Sequence, residues 1–523
     1  MLTTYDKFFL KSNIIYLIIL FFFSFFFNFY YAKFGTFPID TFFHYDVSFR
    51  ILKDEYPVRD FWIVSGFIID LMQSVFFKLF GVNWNAYVFH SSIFNFFVSL
   101  IVFFFFYNLK LEKIACLFFT CCFSVLAYTI SGTPFVDHHA TFFLLIGTFF
   151  LVQGFYYEKS YIWFLAIFFY FLSFFTKQVP ASYVIILQGL IICIYLFNFK
   201  KIKILTYIIF STLILTLAFV ILLFFLNIDF KSFFIQYLDY PRSIGDNRLT
   251  NFKFSAQSFF NNYKFIFAPL ILLSFILLSK IKKDLRIFYD KNIYVYLILL
   301  SFVVCLIFHQ IMTKNQIYIY FLIPILFGVL YSELKFLNFK YKRFTLLALI
   351  VSLIFITSKY HYRFNENRKF HELEKTNLSN AVTAKKINKS LDGLLWINPF
   401  FEGTPAEEIK LLNDGILQLE REKEEIMLIT HYLFLDSITQ KNLNYPNRAF
   451  TTDGTSMPLK GNKYYEYYKN FLLKIIKSKE IKKIYFFVHE SLPQDIVTNY
   501  IDKDCLETKK DEIFYILKLR CNK

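Results

Sequence analysis

For its first two thirds the chain alternates long apolar runs with short polar breaks, and then it changes character. Runs able to cross a hydrocarbon core of about 30 Å fall near Phe8–Tyr31, Trp84–Tyr107, Ile114–Ile130, Phe135–Tyr156, Tyr161–Phe175 and Val179–Phe199. Further runs lie near Ile204–Asn227, Tyr263–Leu278, Ile293–Phe308, Ile317–Tyr331 and Phe344–Thr357. The pattern predicts a mainly α polytopic membrane bundle of about eleven transmembrane helices. The first run is too long for a signal-peptide core and lacks an A-x-A-like site behind it, so it is expected to stay attached.

After Thr357 the apolar runs shorten and become β-rich: LLWINPF, IMLITHYLF, IKKIYFFVHE and EIFYILKLR. Helical patterns such as AEEIKLLNDGILQLEREKE and NKYYEYYKNFLLKIIKSKE separate them. This alternation predicts a C-terminal soluble α/β domain with a small, mainly parallel sheet. The expected division is a membrane domain over residues 1–357, with a first outer loop at 33–83, and an α/β domain over 358–523. No glycine-rich phosphate loop suggests a nucleotide site in the second part.

Ile63–Phe80 is apolar but holds Gly66, Asp70, Gln73 and Lys78. Its apolar positions recur at helical spacing, which predicts a helix lying in the membrane interface and not a further crossing.

Composition agrees with a membrane protein: 57% of the 523 residues are hydrophobic, 23% are aromatic, and Phe alone accounts for 77. The net charge of +17 would invite a nucleic-acid partner in a soluble protein. Here the basic residues collect in alternate loops, at Lys110 and Lys113, Lys159, Lys200 to Lys203, Lys280 to Arg286 and Lys335 to Arg343. That placement reads as topology and contact with anionic membrane lipids, with no nucleic acid. It predicts a multi-pass protein with a cytoplasmic N-terminus and a periplasmic C-terminal domain. Heavy use of Phe, Ile, Lys and Asn points to an AT-rich bacterial genome, hence the inner membrane. No cysteine pair has zinc-site spacing, whereas Cys505 and Cys521 in the C-terminal part could form a disulfide in an oxidising compartment.

Candidate chemistry gathers on the predicted non-cytoplasmic side. Asp40 lies a few residues beyond the first span, in a stretch that also carries Asp46, Asp54, Glu55 and Asp60. Asp54, Glu55 and Asp60 read as structural or solvated, while Asp40, at the mouth of the bundle, is the best candidate for a general base. Asp137 begins the fourth span beside His138 and His139, where an ionisable group costs up to about 3 kcal/mol and so implies a function. Adjacent His side chains on a helix diverge by about 100°, which favours hydrogen bonding over paired ligation. No metal is required, and a divalent ion is left open. Lys177 interrupts an apolar stretch against the positive-inside trend, and an outward cation there suits a lipid phosphate. Arg242 and Arg248, with their forked donors, and Asn315 and Gln316, with their amides, could add phosphate and sugar contacts.

Taken together, these residues resemble the GT-C class of integral-membrane glycosyltransferases, which includes the aminoarabinose transferases of lipid A and the protein mannosyltransferases. The stretch DTFFHYDVSFRILKDEYPVRDFW followed by FKLFG looks like that class's first outer loop, with Asp40 at its acidic position. Asp137 looks like its second acidic position, and Lys177 in TKQ like its donor-phosphate lysine. Thr41 and Gln178 depart from the Glu and Gly common there. The resemblance implies transfer of a sugar from a polyprenyl-phosphate-linked donor to a glycan, lipid or protein acceptor of the cell envelope. The alternatives are a transporter or flippase of lipid-linked glycans without bond chemistry, and a membrane anchor whose C-terminal domain carries the activity.

Overall fold

The computed structural model describes residues 11–34, 38–127, 132–250, 255–283, 290–313, 319–368, 373, 376–490 and 492–521. Among them, eight helices are long and apolar enough to cross a membrane. In chain order the membrane part runs α1 (Lys11–Tyr31), α2 (Pro38–Leu52), α3 (Ile68–Phe80), α4 (Trp84–Asn108), α5 (Lys113–Ala127), α6 (Val136–Tyr157) and α7 (Ser160–Thr176). It continues with α8 (Gln178–Asn198), α9 (Ile202–Phe225), α10 (Tyr240–Thr250), α11 (Ala256–Lys283), α12 (Lys291–Thr313), α13 (Leu322–Phe336) and α14 (Lys342–His361). Helices α5, α7 and α13 are the shorter apolar ones, and α2, α3 and α10 are interposed segments, of which α3 is amphipathic. The protein is a multi-pass membrane protein.

Burial sorts these helices. In α6, 83% of the apolar window is buried, which makes it the central helix; in α9 and α14 only 22% is, so their Phe- and Leu-rich faces are the lipid-facing surface. The predicted helix from Ile63 starts only at Ile68. The preceding residues are irregular because other segments claim their backbone groups. Trp62 N–H donates to Pro446 O at 2.8 Å, and Gly66 N–H donates to Thr176 O at 3.0 Å.

The C-terminal part is an α/β unit, with α15 (Pro405–Arg421) and α16 (Tyr465–Ser478) beside a four-stranded sheet. Its strands β3 (Ile426–Ile429), β4 (Lys483–Phe487), β5 (Leu506–Lys510) and β6 (Phe514–Leu519) lie in the order β3-β4-β6-β5. A two-stranded pair, β1 (Val382–Thr383) with β2 (Leu395–Trp396), precedes it. Only β3 and β4 run parallel; β4–β6 and β6–β5 are antiparallel. The mainly parallel sheet is therefore corrected to a mainly antiparallel one. The cause is local: Asp511 Oδ1 accepts from the backbone N–H of Ile513 (2.9 Å) and Phe514 (2.7 Å). That tight turn folds LETKK back on the following strand as a hairpin, with no room for a crossover. Cys505 and Cys521, at the outer end of this hairpin, are joined in a disulfide.

The apolar core of the C-terminal part does not stop at its own elements. Phe42, Tyr45, Trp62, Phe77, Trp84 and Tyr87, all from residues 33–87, belong to the same buried cluster as Trp396, Leu428, Phe434 and Tyr468. Trp62, fully buried, meets the rings of Tyr240, Tyr468 and Phe471 at 5.7, 5.2 and 5.7 Å. Backbone pairing fixes the joint, since Arg448 N–H donates to Trp62 O (3.0 Å) and Leu395 N–H to Lys33 O (2.8 Å). The segment 33–87 is thus the floor on which the C-terminal part is built.

Two predictions follow from this packing. A Cβ at Gly66 would stand 1.7 Å from Phe175 O, so Gly66→Ala should destabilise the protein by about 3 kcal/mol. Gly245→Ala, within α10 and facing open space, should be neutral or stabilising by up to about 1 kcal/mol. Thermal unfolding of the two variants in lipid nanodiscs makes the comparison, and equal melting temperatures would remove the argument. The second concerns Glu490, at the end of β4, where burial pushes the carboxyl up to about 8 despite hydrogen bonds from Thr430 and the His431 N–H. The unfolded chain releases this proton near pH 4.5, while the folded chain keeps it until about pH 8. Wild-type stability therefore falls relative to Glu490→Gln across that window as pH rises, and is level above it. A pH-independent difference between the two unfolding curves would refute the shift.

Candidate functional site

The site begins at the break between α7 and α8. Pro180 disfavours helix for the residue before it, and Val179 is extended at φ −121°, ψ 137°. Lys177, with φ −153° and ψ 132°, is extended as well, so its side chain leaves the joint sideways, into the bundle mouth. Its Nζ donates to Asp137 Oδ1 at 2.5 Å. The outward cation that the sequence offers is thus paired with a carboxylate.

Asp137 stands in the first turn of α6, behind the Gly132–Pro134 turn, where the helix N-terminus favours a carboxylate. His309 Nε2, from α12, lies 4.0 Å from the same carboxylate oxygen. The side chains of Lys177 and Asp137 remain 22% and 11% exposed, so the pair can be reached from outside. Arg248, exposed near the end of α10, is within electrostatic reach of His309 and Tyr183, and α10 packs on α12. Lys177 and His309 therefore meet at one carboxylate, with Arg248 near His309, at the end of the bundle where the C-terminal part sits.

Asp40 lies in the first turn of α2, partly buried. Tyr87 brings the start of this helix against the turn before α6, because its hydroxyl is 3.0 Å from Thr41 O and 3.5 Å from Pro134 O. One helical turn beyond Asp40, and on the same face, His44 approaches the Phe135 ring at 6.5 Å between centroids. His44 Nδ1 lies 2.6 Å from Asp70 Oδ1, and Arg448 Nη2 closes on Asp70 Oδ2 at 3.0 Å. Burial holds the His44 imidazole down to about 4, against the pull of Asp70, so it is neutral at physiological pH.

The remaining candidates are placed as follows. His138 is buried and stacks on Phe142 at 5.8 Å, whereas His139 stacks on Phe94 at 4.1 Å and bonds back to Phe135 O. The two rings thus serve different helix faces. Among the described residues, no three His, Cys, Asp or Glu side chains form a metal-ligand group. Arg242 is exposed on α10, whose start is tied to the C-terminal part through Ser243 and Asn462. Asn315 and Gln316 lie outside the described residues. His44, Asp70 and Arg448 were not among the sequence candidates. Asp70 had a visible signal as a charge inside an apolar helix; Arg448 had none, since its partner is 378 positions away.

No protein-family model matches the chain, and no curated protein matches it. Among solved structures the chain is similar to the crystal structure of ArnT from Cupriavidus metallidurans bound to undecaprenyl phosphate. The identity is 10%, the alignment covers 96% of each chain, and the TM-score is 0.47. A likeness of that size carries no argument about this chain's chemistry, which rests on the side chains described above.

Removing one member of a largely buried ion pair strands the other. Lys177→Met or Asp137→Asn alone should therefore cost about 3 kcal/mol, and the double variant should cost clearly less than the sum. Additive losses in thermal unfolding would show that the two side chains do not depend on each other.

Proposed function

We propose that the protein is a GT-C-type membrane glycosyltransferase that moves a sugar from a polyprenyl-phosphate donor to a glycan, lipid or protein acceptor on the periplasmic side of the inner membrane. The observation that carries this reading is the convergence of Lys177, Asp137 and His309 beside the start of α2, the helix that bears Asp40. A transferase of this kind needs a carboxylate to take a hydroxyl proton and a cation to receive a leaving phosphate, both at headgroup depth.

In the proposed reaction Asp40 removes the proton of the acceptor hydroxyl as its oxygen attacks the anomeric carbon. The bond from that carbon to the phosphate oxygen breaks, and its electron pair leaves with the polyprenyl phosphate. Attack opposite the leaving group inverts the anomeric centre. Lys177 has three N–H donors, of which the described contacts engage one with Asp137, so the ammonium has donors left for phosphate oxygens. Arg248 adds charge from α10, while Asp137 orients the lysine and the acceptor. Neutralisation by side chains in this way needs no metal.

A transport pathway would put charged groups deep in the spans. The mid-bundle polar group of Thr148, Tyr170 and Gln188 is neutral and hydrogen-bonded internally, which suits a structural tie between helices better than a path for a charged glycan lipid.

Asp40→Asn, correctly inserted, should lower transfer by at least about 100-fold while polyprenyl-phosphate sugar accumulates in cells carrying only this variant. Lipid extracts and envelope glycans of a deletion strain, complemented with either form, provide the measurement. Full complementation by Asp40→Asn would exclude it as the base.

A further inference from the structure

Arg448 brings a guanidinium of the C-terminal part into the floor of the candidate site. It comes from the segment Tyr445–Arg448, which is held to the first outer loop at both ends: Arg50 Nη1 donates to Tyr445 O at 2.9 Å, and Arg448 N–H donates to Trp62 O at 3.0 Å. The Arg448 side chain is 5% exposed and lies over the Phe43 ring at 4.9 Å. Its fork divides in two directions. Nη1 donates to Ser65 Oγ (2.8 Å) and Gly66 O (3.0 Å). Nη2 meets Asp70 Oδ2 (3.0 Å), whose other oxygen is 2.6 Å from His44 Nδ1.

Each direction ends at a proposed transfer residue. The Gly66 N–H donates to Thr176 O (3.0 Å), the carbonyl just before Lys177, and the Gln178 side chain, just after Lys177, donates to Val64 O (3.2 Å). Thr176 through its carbonyl and Gln178 through its side chain therefore tie the residues on both sides of Lys177 to residues 64–66, and Arg448 grips that segment through Ser65 Oγ and Gly66 O. The other arm holds His44, which shares a face of α2 with Asp40 one turn away. A buried ion pair stabilises a fold no better than apolar side chains of similar volume. What the Arg448 fork adds is direction, because its planar donors fix several acceptors at once in a way a lysine cannot.

We propose that Arg448 is a positioning residue. Through Gly66–Thr176 it sets Lys177 for the donor phosphate, and through Asp70–His44 it sets the helix that carries Asp40, so the C-terminal part completes the membrane site. This rests on the proposed donor role of Lys177, and its test separates the two.

The test measures undecaprenyl phosphate binding to the full-length protein in nanodiscs for the wild type, Arg448→Lys, Arg448→Ala, Lys177→Ala and the Arg448/Lys177 doubles. Lys177→Ala should weaken binding about tenfold, and Arg448→Lys about fivefold in the wild type but less than about twofold in the Lys177→Ala background. That non-additivity is what a merely structural arginine would not produce. Ser65→Ala removes one acceptor of the fork, leaves the Asp70 pair in place, and should weaken binding about twofold. It serves as the variant if both Arg448 substitutions fail to fold. If Arg448→Lys and Ser65→Ala bind as the wild type while Lys177→Ala does not, the positioning role falls and the donor site stands. Equal weakening by Arg448→Lys in both backgrounds also overturns it. If Lys177→Ala itself binds as the wild type, the donor-site reading fails first.

Discussion

An ionised group held where the spans end must find its counter-charge inside the protein, and that requirement shapes this end of the molecule. Three pairings meet it: Lys177 with Asp137, Arg448 with Asp70, and Arg50 with Glu55. The first two join elements that a hydropathy profile treats as separate, and the third is local but reaches the C-terminal part through Lys479, 2.7 Å from Glu55. In the third, burial opposes ionisation of Glu55, but Arg50 and Lys479 outweigh it and hold the carboxyl down to about 2. Asp46, one turn before Arg50 and fully buried, shows the opposite outcome. No hydrogen bond reaches either of its oxygens among the described residues, Arg50 is 4.0 Å away, and burial drives its pKa well up. Close partners keep a charge in this environment; a distant one does not.

Pairing alone would not aim these groups without breaks in regular structure. Pro180 opens the α7–α8 joint and turns Lys177 sideways. Gly66 lets the first loop pass against the Phe175 carbonyl, where any side chain would collide. The first loop and the α7–α8 joint are separated by more than a hundred residues yet meet at one backbone hydrogen bond, Gly66 N–H to Thr176 O. The lysine's direction is therefore a property of the contact between loop and bundle and of neither alone.

This explains what the sequence discloses and what it hides. Spans are legible because about twenty consecutive apolar residues have few other uses, and Asp137 and Lys177 stand out because each interrupts such a run. The disulfide partners are visible as the two cysteines outside the apolar region. The edge strand LETKK is invisible because its side chains are mostly exposed and carry no alternating pattern. Strand direction follows from a three-residue turn held by Asp511, which the periodicity of the strands does not encode. The irregular backbone at residues 63–67 is hidden for another reason: the apolar spacing there is helical, and tertiary hydrogen bonds override it. Arg448 looks like any basic residue of a lysine-rich domain until the fold brings Asp70 to it.

The Asp137–Lys177 pair also bears on how such a site can wait for substrate. A lone ammonium at the edge of hydrocarbon is costly, so a lysine meant for a phosphate needs an interim partner. Asp137 serves, since it is close enough to compensate the charge while the pair stays partly open to solvent. On the proposed reading, the donor's phosphodiester, with two free oxygens and one negative charge, competes for the same donors without having to displace a fully buried partner, and the released polyprenyl phosphate gains a third free oxygen and further charge. Asp137 then keeps the helix N-terminus and His309 as neighbours, so its charge remains compensated as the lysine turns toward the donor. An arginine at position 177 would lock a bidentate fork onto Asp137. Lysine, a point charge on a flexible stem, can be shared between the two anions.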